Sequence, residues 1–339
     1  MICENIFKSF FNTHIRLKSF LLSCRDVFRR SISLFKLVVL NLFVRFFLRH
    51  PKYNKKYKIS ICGIFKNESC FLKEWIEYHE ILGVEHFYLY NNKSDDNFKI
   101  VLQPYIDKGL VSLIDWPFDQ AQMKAYEHFY NTFRHETQWV SFLDIDEFFC
   151  PRYKSNLYEW LTKKDRFPAI LIYWRMFGTS GKLLHDPEKL VIEQYTVSWD
   201  HLYHVGKCLI NTDYDLIEFN SSTHHLPQVK YPLFGKIFKI QLPPVNQFGL
   251  FVKDPFHFSW FYREKNFTIQ INHYWSKAWD VYEKKRRMTD VFFKENPKIN
   301  LSYFYEHEYE NRSVDYTIFR FIMQLKLKTG VYKNDDYEL

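Results

Sequence analysis

Between residues 57 and 149 short apolar runs alternate with amphipathic segments four times. Lys58-Ile59-Ser60-Ile61-Cys62-Gly63-Ile64-Phe65 reads as a buried strand, and Lys66-Asn67-Glu68-Ser69 as the turn into a helix carrying Leu72, Trp75, Ile76 and His79 at three-to-four spacing. Val84-Glu85-His86-Phe87-Tyr88-Leu89-Tyr90 predicts a second strand, closed by the polar loop Asn91–Asp96. A helical piece near Phe98–Tyr105 precedes a third strand, Val111–Asp115. The helix Gln120–Phe133 then leads to a fourth strand, Trp139–Leu143, which runs into Asp144, Asp146 and Glu147. Such alternation predicts an α/β fold: an open, mostly parallel twisted sheet with helices on both faces.

Beyond Pro151 the pattern is mixed. Ala169–Trp174 reads as a strand and Arg175–Gly181 as a turn-rich loop, while the His- and Pro-rich stretch 200–260 suggests loops and short antiparallel strands. Ile271–Trp275 runs into a charged helix, Lys277–Phe293, and a helix at Tyr316–Leu327 lies in a C-terminal extension, 294–339.

Ligands of open α/β sheets bind beyond the carboxyl ends of the strands. Here those ends carry Asn67/Glu68, Asn91/Asn92/Asp95 and Asp144/Asp146, three polar clusters in succession. In a strand Asp144 and Asp146 share a face. Two carboxylates so placed repel unless a cation or proton intervenes, and oxygen ligands suit Mg²⁺ or Mn²⁺. The bland alternative is a turn cap at Asp144 beside solvated Asp146 and Glu147. No G-x-G-x-x-G follows the first strand and no P-loop pattern occurs, so a bound nucleotide depends on a metal for its diphosphate.

Charge divides the chain. Residues 1–58 carry 13 Lys and Arg against Glu4 and Asp26, a net of +11, so of the overall +8 the remainder holds 8 − 11 = −3 and is slightly acidic. That distribution argues against a nucleic-acid binder, whose basic surface spreads over the folded body. The head mixes Phe and Leu with Lys and Arg, and its longest charge-free run, Leu37 to Val44, is far shorter than the ~20 residues of a membrane span. It reads as a basic amphipathic helix on an anionic membrane surface, with a domain-packing helix or a nucleic-acid arm as alternatives. The expected organisation is 1–56 as membrane-associating segment and linker, 57–293 as the main domain, and 294–339 as the extension. Six cysteines without a C-x-x-C pair read as reduced thiols of a cytosolic protein. Aromatic residues make up 20% of the chain, a level that serves either stacking surfaces or an aromatic core.

The ordered fragments Phe65-Lys66-Asn67-Glu68, Trp75-Ile76-Glu77-Tyr78-His79, Gly83–Tyr88, Asp115-Trp116-Pro117, Gln122 with Tyr126, Trp139–Phe148, Phe177–Gly181 and His273-Tyr274 together resemble glycosyltransferase family 92 and bacterial family 2-like relatives. The resemblance covers roughly 57–290. It implies a GT-A fold, a nucleotide-sugar donor, most simply a UDP-sugar, a divalent cation (Mn²⁺, or Mg²⁺) and inversion at the anomeric carbon. It also implies a glycan or glycolipid acceptor of the lipopolysaccharide or capsule type, and hence a peripheral enzyme on the cytoplasmic face of the inner membrane. By the same resemblance Asp146 ligates the metal, Asp144 holds the ribose or shares the metal, and Glu147 braces both. Phe65, Asn67, Glu68, Asn91 and Asn92 surround the base, and Gln122 and Tyr126 face the donor sugar. His273 supplies a late metal contact, with His224 or His225 as rivals. The catalytic base is not identified; Asp200, Asp213, Asp215 and Glu218 are candidates by their place in the mixed half. Rival classes are a metal-dependent nucleotidyltransferase or phosphohydrolase and a non-catalytic membrane adaptor.

Overall fold

A computed structural model describes residues 54–220, 222–233, 238–252, 264–289 and 294–330, together with Phe35, Val38, Val39 and Leu42. The chain divides into two units, Met1–Arg49 and His50–Leu339. In the first, the four described residues are helical and exposed; the rest of the expected membrane-associating segment lies outside the described residues. No helix among the described residues is long and apolar enough to cross a membrane.

The second unit begins with the predicted alternation: β1 (Tyr57–Phe65), α1 (Ser69–Ile81), β2 (His86–Asn91), α2 (Phe98–Asp107), β3 (Val111–Asp115), α3 (Gln122–Phe133) and β4 (Thr137–Phe142). β1, β2, β3 and β4 pair in parallel in the order β3-β2-β1-β4. Right-handed crossovers put α1 and α2 on one face of that sheet and α3 on the other. Ile59 to Phe65 and all of β4 are buried, as continuous apolar strands of a covered sheet are. In α1 the predicted Leu72, Trp75, Ile76 and His79 are each fully buried. Gly83 ends the helix at φ 88, a left-handed conformation that glycine adopts without Cβ strain.

The remaining strands are β5 (Glu147–Pro151), β6 (Ala169–Met176), β7 (Val197–Trp199), β8 (Gly206–Asn211), β9 (Asp215–Leu216), β10 (Val229–Leu233), β11 (Phe238–Leu242), β12 (Val245–Asn246), β13 (Ile269–His273) and β14 (Asn311–Val314). β8 joins β4 antiparallel and β6 antiparallel, β13 follows parallel to β6, and β5 closes the far edge antiparallel to β13. The sheet is mostly parallel, as expected, with antiparallel pairings made by β8 and β5. At Gly206 a Cβ would lie 1.8 Å from the Ile172 carbonyl oxygen, so only glycine lets β8 and β6 approach there.

Two expectations shift. The charged helix predicted at Lys277–Phe293 spans Trp279–Arg286, our α6 after the short α4 (Leu157–Leu161) and α5 (Val191–Gln194). Lys277 has φ 55 and cannot lie inside a right-handed helix, and the Asn296 amide takes up the Lys285 and Met288 carbonyls at the other end. The helix predicted at Tyr316–Leu327 becomes a tight turn, Thr317–Phe321, followed by α8 (Ile322–Thr329). A helix the pattern did not show, α7 (Leu301–Tyr309), packs Phe304 against Trp275 and Tyr282.

Candidate active site

Asp144 and Asp146 sit in the turn between β4 and β5, not on a strand, so they do not share a pleated face, while Glu147 opens β5. α1 clamps the far side of that turn. Trp75 Nε1 donates to the Glu147 carbonyl at 2.9 Å, Tyr78 Oη donates to the Phe149 carbonyl at 2.6 Å, and His79 Nε2 accepts from the Phe149 N–H at 3.3 Å. The amphipathic spacing read from the sequence therefore serves to hold the carboxylates.

Lysines meet the carboxylates, Lys207 on the Asp144 side and Lys285 on the Asp146 side. Asp144 Oδ2 lies 2.9 Å from Lys207 Nζ, while Oδ1 accepts from Gln122 at 3.2 Å and from Tyr126 at 3.4 Å. Glu147, fully buried, accepts the Asp144 N–H at 3.1 Å and stands 3.6 Å from Lys207. Burial pushes the Glu147 carboxyl well above the usual carboxylate range. Burial lowers the Lys207 ammonium, but Asp144 and Glu147 outweigh it and raise the group above an ordinary lysine. Asp146 Oδ2 lies 2.9 Å from Lys285 Nζ, which also reaches Glu68 at 2.9 Å, and 3.9 Å from the buried Lys277. Although burial raises Asp146, Lys285, Lys277 and His273 hold it well below the carboxylate range. Burial and the neighbouring Lys285 bring Lys277 down to about 8. The cation that the acid pair calls for is thus supplied in part by ammonium groups from α6, β8 and the turn before α6, which the sequence reading missed.

His273 reaches Asp146 through pairing: β13 aligns His273 opposite Glu147, and the Tyr274 N–H donates to the Asp146 carbonyl at 2.8 Å. His273 Nε2 ends 3.4 Å from Asp146 Oδ1. An oxygen and an imidazole nitrogen at that separation fit two adjacent ligands of a Mn²⁺-type ion whose other positions fall to water or diphosphate oxygens. Among the described residues no group of three or more His, Cys, Asp or Glu is arranged to hold a metal. The rivals His224 and His225, their ring centroids 3.8 Å apart and tilted by 41°, lie near Lys207, and burial, aided by Lys207, lowers both, His225 to about 4.

These groups open on one cavity of about 450 Å³, lined on its charged side by Glu68, Asp144, Asp146, Lys207 and Lys285, with Phe65, Gln122 and His273 beside them. Tyr126 lies beneath, bonded to Gln122 and Asp144. Asn67 lines an adjoining space of about 260 Å³ and accepts the Asp95 N–H at 2.9 Å. Asn91 donates to Asp115 at 3.1 Å, and Asn92 donates to the Trp116 and Phe118 carbonyls at 2.9 and 2.7 Å; both shape the loop above β2 and neither lines the cavity. The base candidates Asp213 and Asp215 pair with Lys55 at 2.9 Å and Arg134 at 2.8 Å, Asp200 pairs with His201 at 2.6 Å, and Glu218 accepts from Asn220 at 2.7 Å. None of the four lines the cavity.

The family model for glycosyltransferase family 92 matches residues 55–237, a segment that contains Asp144, Asp146 and Lys207 but stops before His273 and Lys285. A family 92 glycosyltransferase of Ricinus communis is 33% identical over 147 residues, 42% of this chain and 26% of its own length. The beta-1,4-galactosyltransferase galt-1 of Caenorhabditis elegans is 30% identical over 131 residues, 34% of this chain and 30% of its own length. The chain therefore spans less than a third of these relatives. Among solved structures, residues 1–349 of S. aureus TarS align with a TM-score of 0.31 and 13% identity over 46% of this chain and 47% of that one.

Proposed function

The chain belongs to glycosyltransferase family 92, and we propose that it transfers a sugar from a nucleotide-sugar donor, of the UDP-hexose kind, to a hydroxyl of a surface glycan or glycolipid. The observation that carries this reading is the meeting of Asp146 and His273 at 3.4 Å in a cavity beyond the carboxyl ends of β1 and β4. The name of the galt-1 relative, a galactosyltransferase, supports a hexose as the group moved.

Asp146 and His273 would hold a Mn²⁺ or Mg²⁺ ion, which when bound neutralises charge on the diphosphate leaving group. Asp144, fixed by Lys207, Gln122 and Tyr126, is set to accept from a donor hydroxyl. Lys285, kept charged by its partners Glu68 and Asp146, would add a positive group toward that diphosphate. An acceptor oxygen attacking the anomeric carbon opposite the leaving group inverts its configuration. The basic head, 1–56, is assigned to an anionic membrane surface, in keeping with a peripheral enzyme at the cytoplasmic face that meets a lipid-linked acceptor. The C-terminal boundary at 294 is part of the same reading.

A panel of nucleotide-sugars assayed with and without Mn²⁺ tests the reaction. Nucleoside diphosphate should be released from one UDP-hexose in a Mn²⁺-dependent way, and Asp146→Ala should abolish both release and Mn²⁺-dependent UDP binding. If no donor is turned over and Asp146→Ala leaves UDP affinity unchanged, the reading is wrong. Removing residues 1–50 should shift the protein off anionic vesicles in co-sedimentation; undiminished binding would sink the membrane assignment.

A further inference from the structure

The cavity has a second end. Opposite the charged side stand Trp174 of β6, Tyr203 ahead of β8, Trp275 after β13, and Tyr303 and His307 of α7. The Trp174 and Tyr203 rings are parallel to within 5° at 6.2 Å, Trp275 lies 4.5 Å from His307, and Tyr303 lies 4.3 Å from His307. This end begins where the charged end stops, because the His273 ring beside Asp146 packs 4.8 Å from Trp174. Trp174 Nε1 and Trp275 Nε1 are buried donors with no hydrogen-bond partner among the described residues. Flat aromatic faces suit a sugar ring, whose C–H face stacks on them. Most of these residues lie outside the family-matched segment, where α7 was not legible from the sequence pattern.

A proton acceptor is needed there. The three cavity carboxylates are each held 2.9 Å from a lysine ammonium: Glu68 and Asp146 by Lys285, Asp144 by Lys207. His307 is differently placed. Its Nδ1 lies 2.8 Å from the Tyr303 carbonyl oxygen, and a carbonyl only accepts, so Nδ1 carries the proton and Nε2 keeps its lone pair. Burial lowers the imidazole from its ordinary value and keeps it neutral. The titratable groups around it are His273 from β13 and Tyr303, Glu306 and Glu308 on its own helix, of which Glu308 accepts from the Thr179 N–H at 3.0 Å and hydroxyl at 2.8 Å.

We propose that the aromatic end is the acceptor subsite, that it takes a neutral sugar ring, and that His307 Nε2 removes the proton from the attacking hydroxyl. The proposal rests on the transferase reading. The hydroxyl proton passes to His307 Nε2 as the oxygen lone pair bonds to the anomeric carbon. The carbon–oxygen bond to the diphosphate breaks, its electron pair leaves on the nucleoside diphosphate, and the imidazolium returns its proton to water as product departs.

The test uses the full chain with UDP and Mn²⁺ and two probes, methyl β-D-galactopyranoside and methyl N-acetyl-β-D-glucosaminide. At least one should quench tryptophan fluorescence of the UDP-loaded protein, and Tyr203→Ala and Tyr303→Ala should each weaken that binding while leaving UDP affinity as in the wild type. No quenching by either probe overturns the subsite, and a loss of UDP affinity in the tyrosine variants overturns it in favour of a nucleobase platform. His307→Gln should lower glycoside-stimulated UDP release by about 10²–10⁴-fold, remove the acidic limb of its pH profile and leave UDP affinity intact. Release within about threefold of wild type, or an unchanged acidic limb, overturns the base assignment. A wild-type protein that binds no UDP would instead refute the transferase reading itself.

Discussion

Lys207 Nζ stands 2.9 Å from Asp144 Oδ2, joining β8 to the acid turn with a lysine that is 1% exposed. The Asp144 side chain is 33% exposed, but Lys207 also faces the fully buried Glu147 at 3.6 Å, and removing the lysine leaves that carboxylate in a low dielectric without its cation. Lys207→Met should therefore destabilise the fold by about 3–5 kcal/mol, read as a lowered urea midpoint. Adding Glu147→Gln, which removes the second carboxylate facing Lys207, should recover part of the loss. An unchanged midpoint in the single variant would contradict the pairing.

His273 is expected to matter for the ion and not for the fold. His273→Ala should raise the Mn²⁺ dissociation constant of the UDP-bound protein by roughly tenfold or more, measured by calorimetry, with the thermal midpoint little changed. If His224→Ala has the larger effect on Mn²⁺, the late contact belongs to that rival histidine.

Tyr78 ties α1 to β5 through one buried bond of 2.6 Å to the Phe149 carbonyl. Tyr78→Phe removes the donor and leaves that oxygen unpaired, at a cost of about 1–3 kcal/mol. Equilibrium denaturation measures this directly. Because the bond lies directly behind the acid turn, nucleotide affinity should also fall, and a loss of stability without a loss of affinity would separate the two roles.

Stability should decline on mild acidification. Burial lowers His79 to about 3, and His86 and His225 are each lowered to about 4 by burial. In the unfolded chain these rings protonate near 6.5. Below that pH the unfolded state binds protons the native state refuses, so stability present at neutral pH is lost towards pH 4. Each such histidine adds about 1.4 kcal/mol per pH unit to the slope. Denaturation between pH 7.5 and 5 should show this slope, reduced by up to one proton in His79→Gln; a flat profile would mean that the rings titrate normally.

The half of the fold before Pro151 was legible because its signals are local. Apolar runs of a covered sheet and the three-to-four spacing of Leu72, Trp75, Ile76 and His79 are written within a dozen residues. The Asp144/Asp146 pair could be singled out for the same reason, and His273 through its resemblance to a late motif. β5 was not recognised as a strand, since its pairing partner β13 lies more than a hundred residues away. α7 has no clear apolar stripe and is held by Trp275 and Tyr282. The asparagines at the strand ends look alike in sequence, yet Asn67 lines an adjoining space while Asn91 and Asn92 close a loop.

What the sequence by itself determined is the alternating sheet and the delivery of carboxylates to the end of β4, because strand burial and helix periodicity are properties of neighbouring residues. What tertiary structure alone decided is how those carboxylates are neutralised. Lys207, Lys277 and Lys285 carry nothing in their local sequence that marks them from other lysines, and antiparallel pairing of β8 and the placing of α6 bring them to Asp144 and Asp146. Charge interactions depend on distance in space, and only the folded chain sets it.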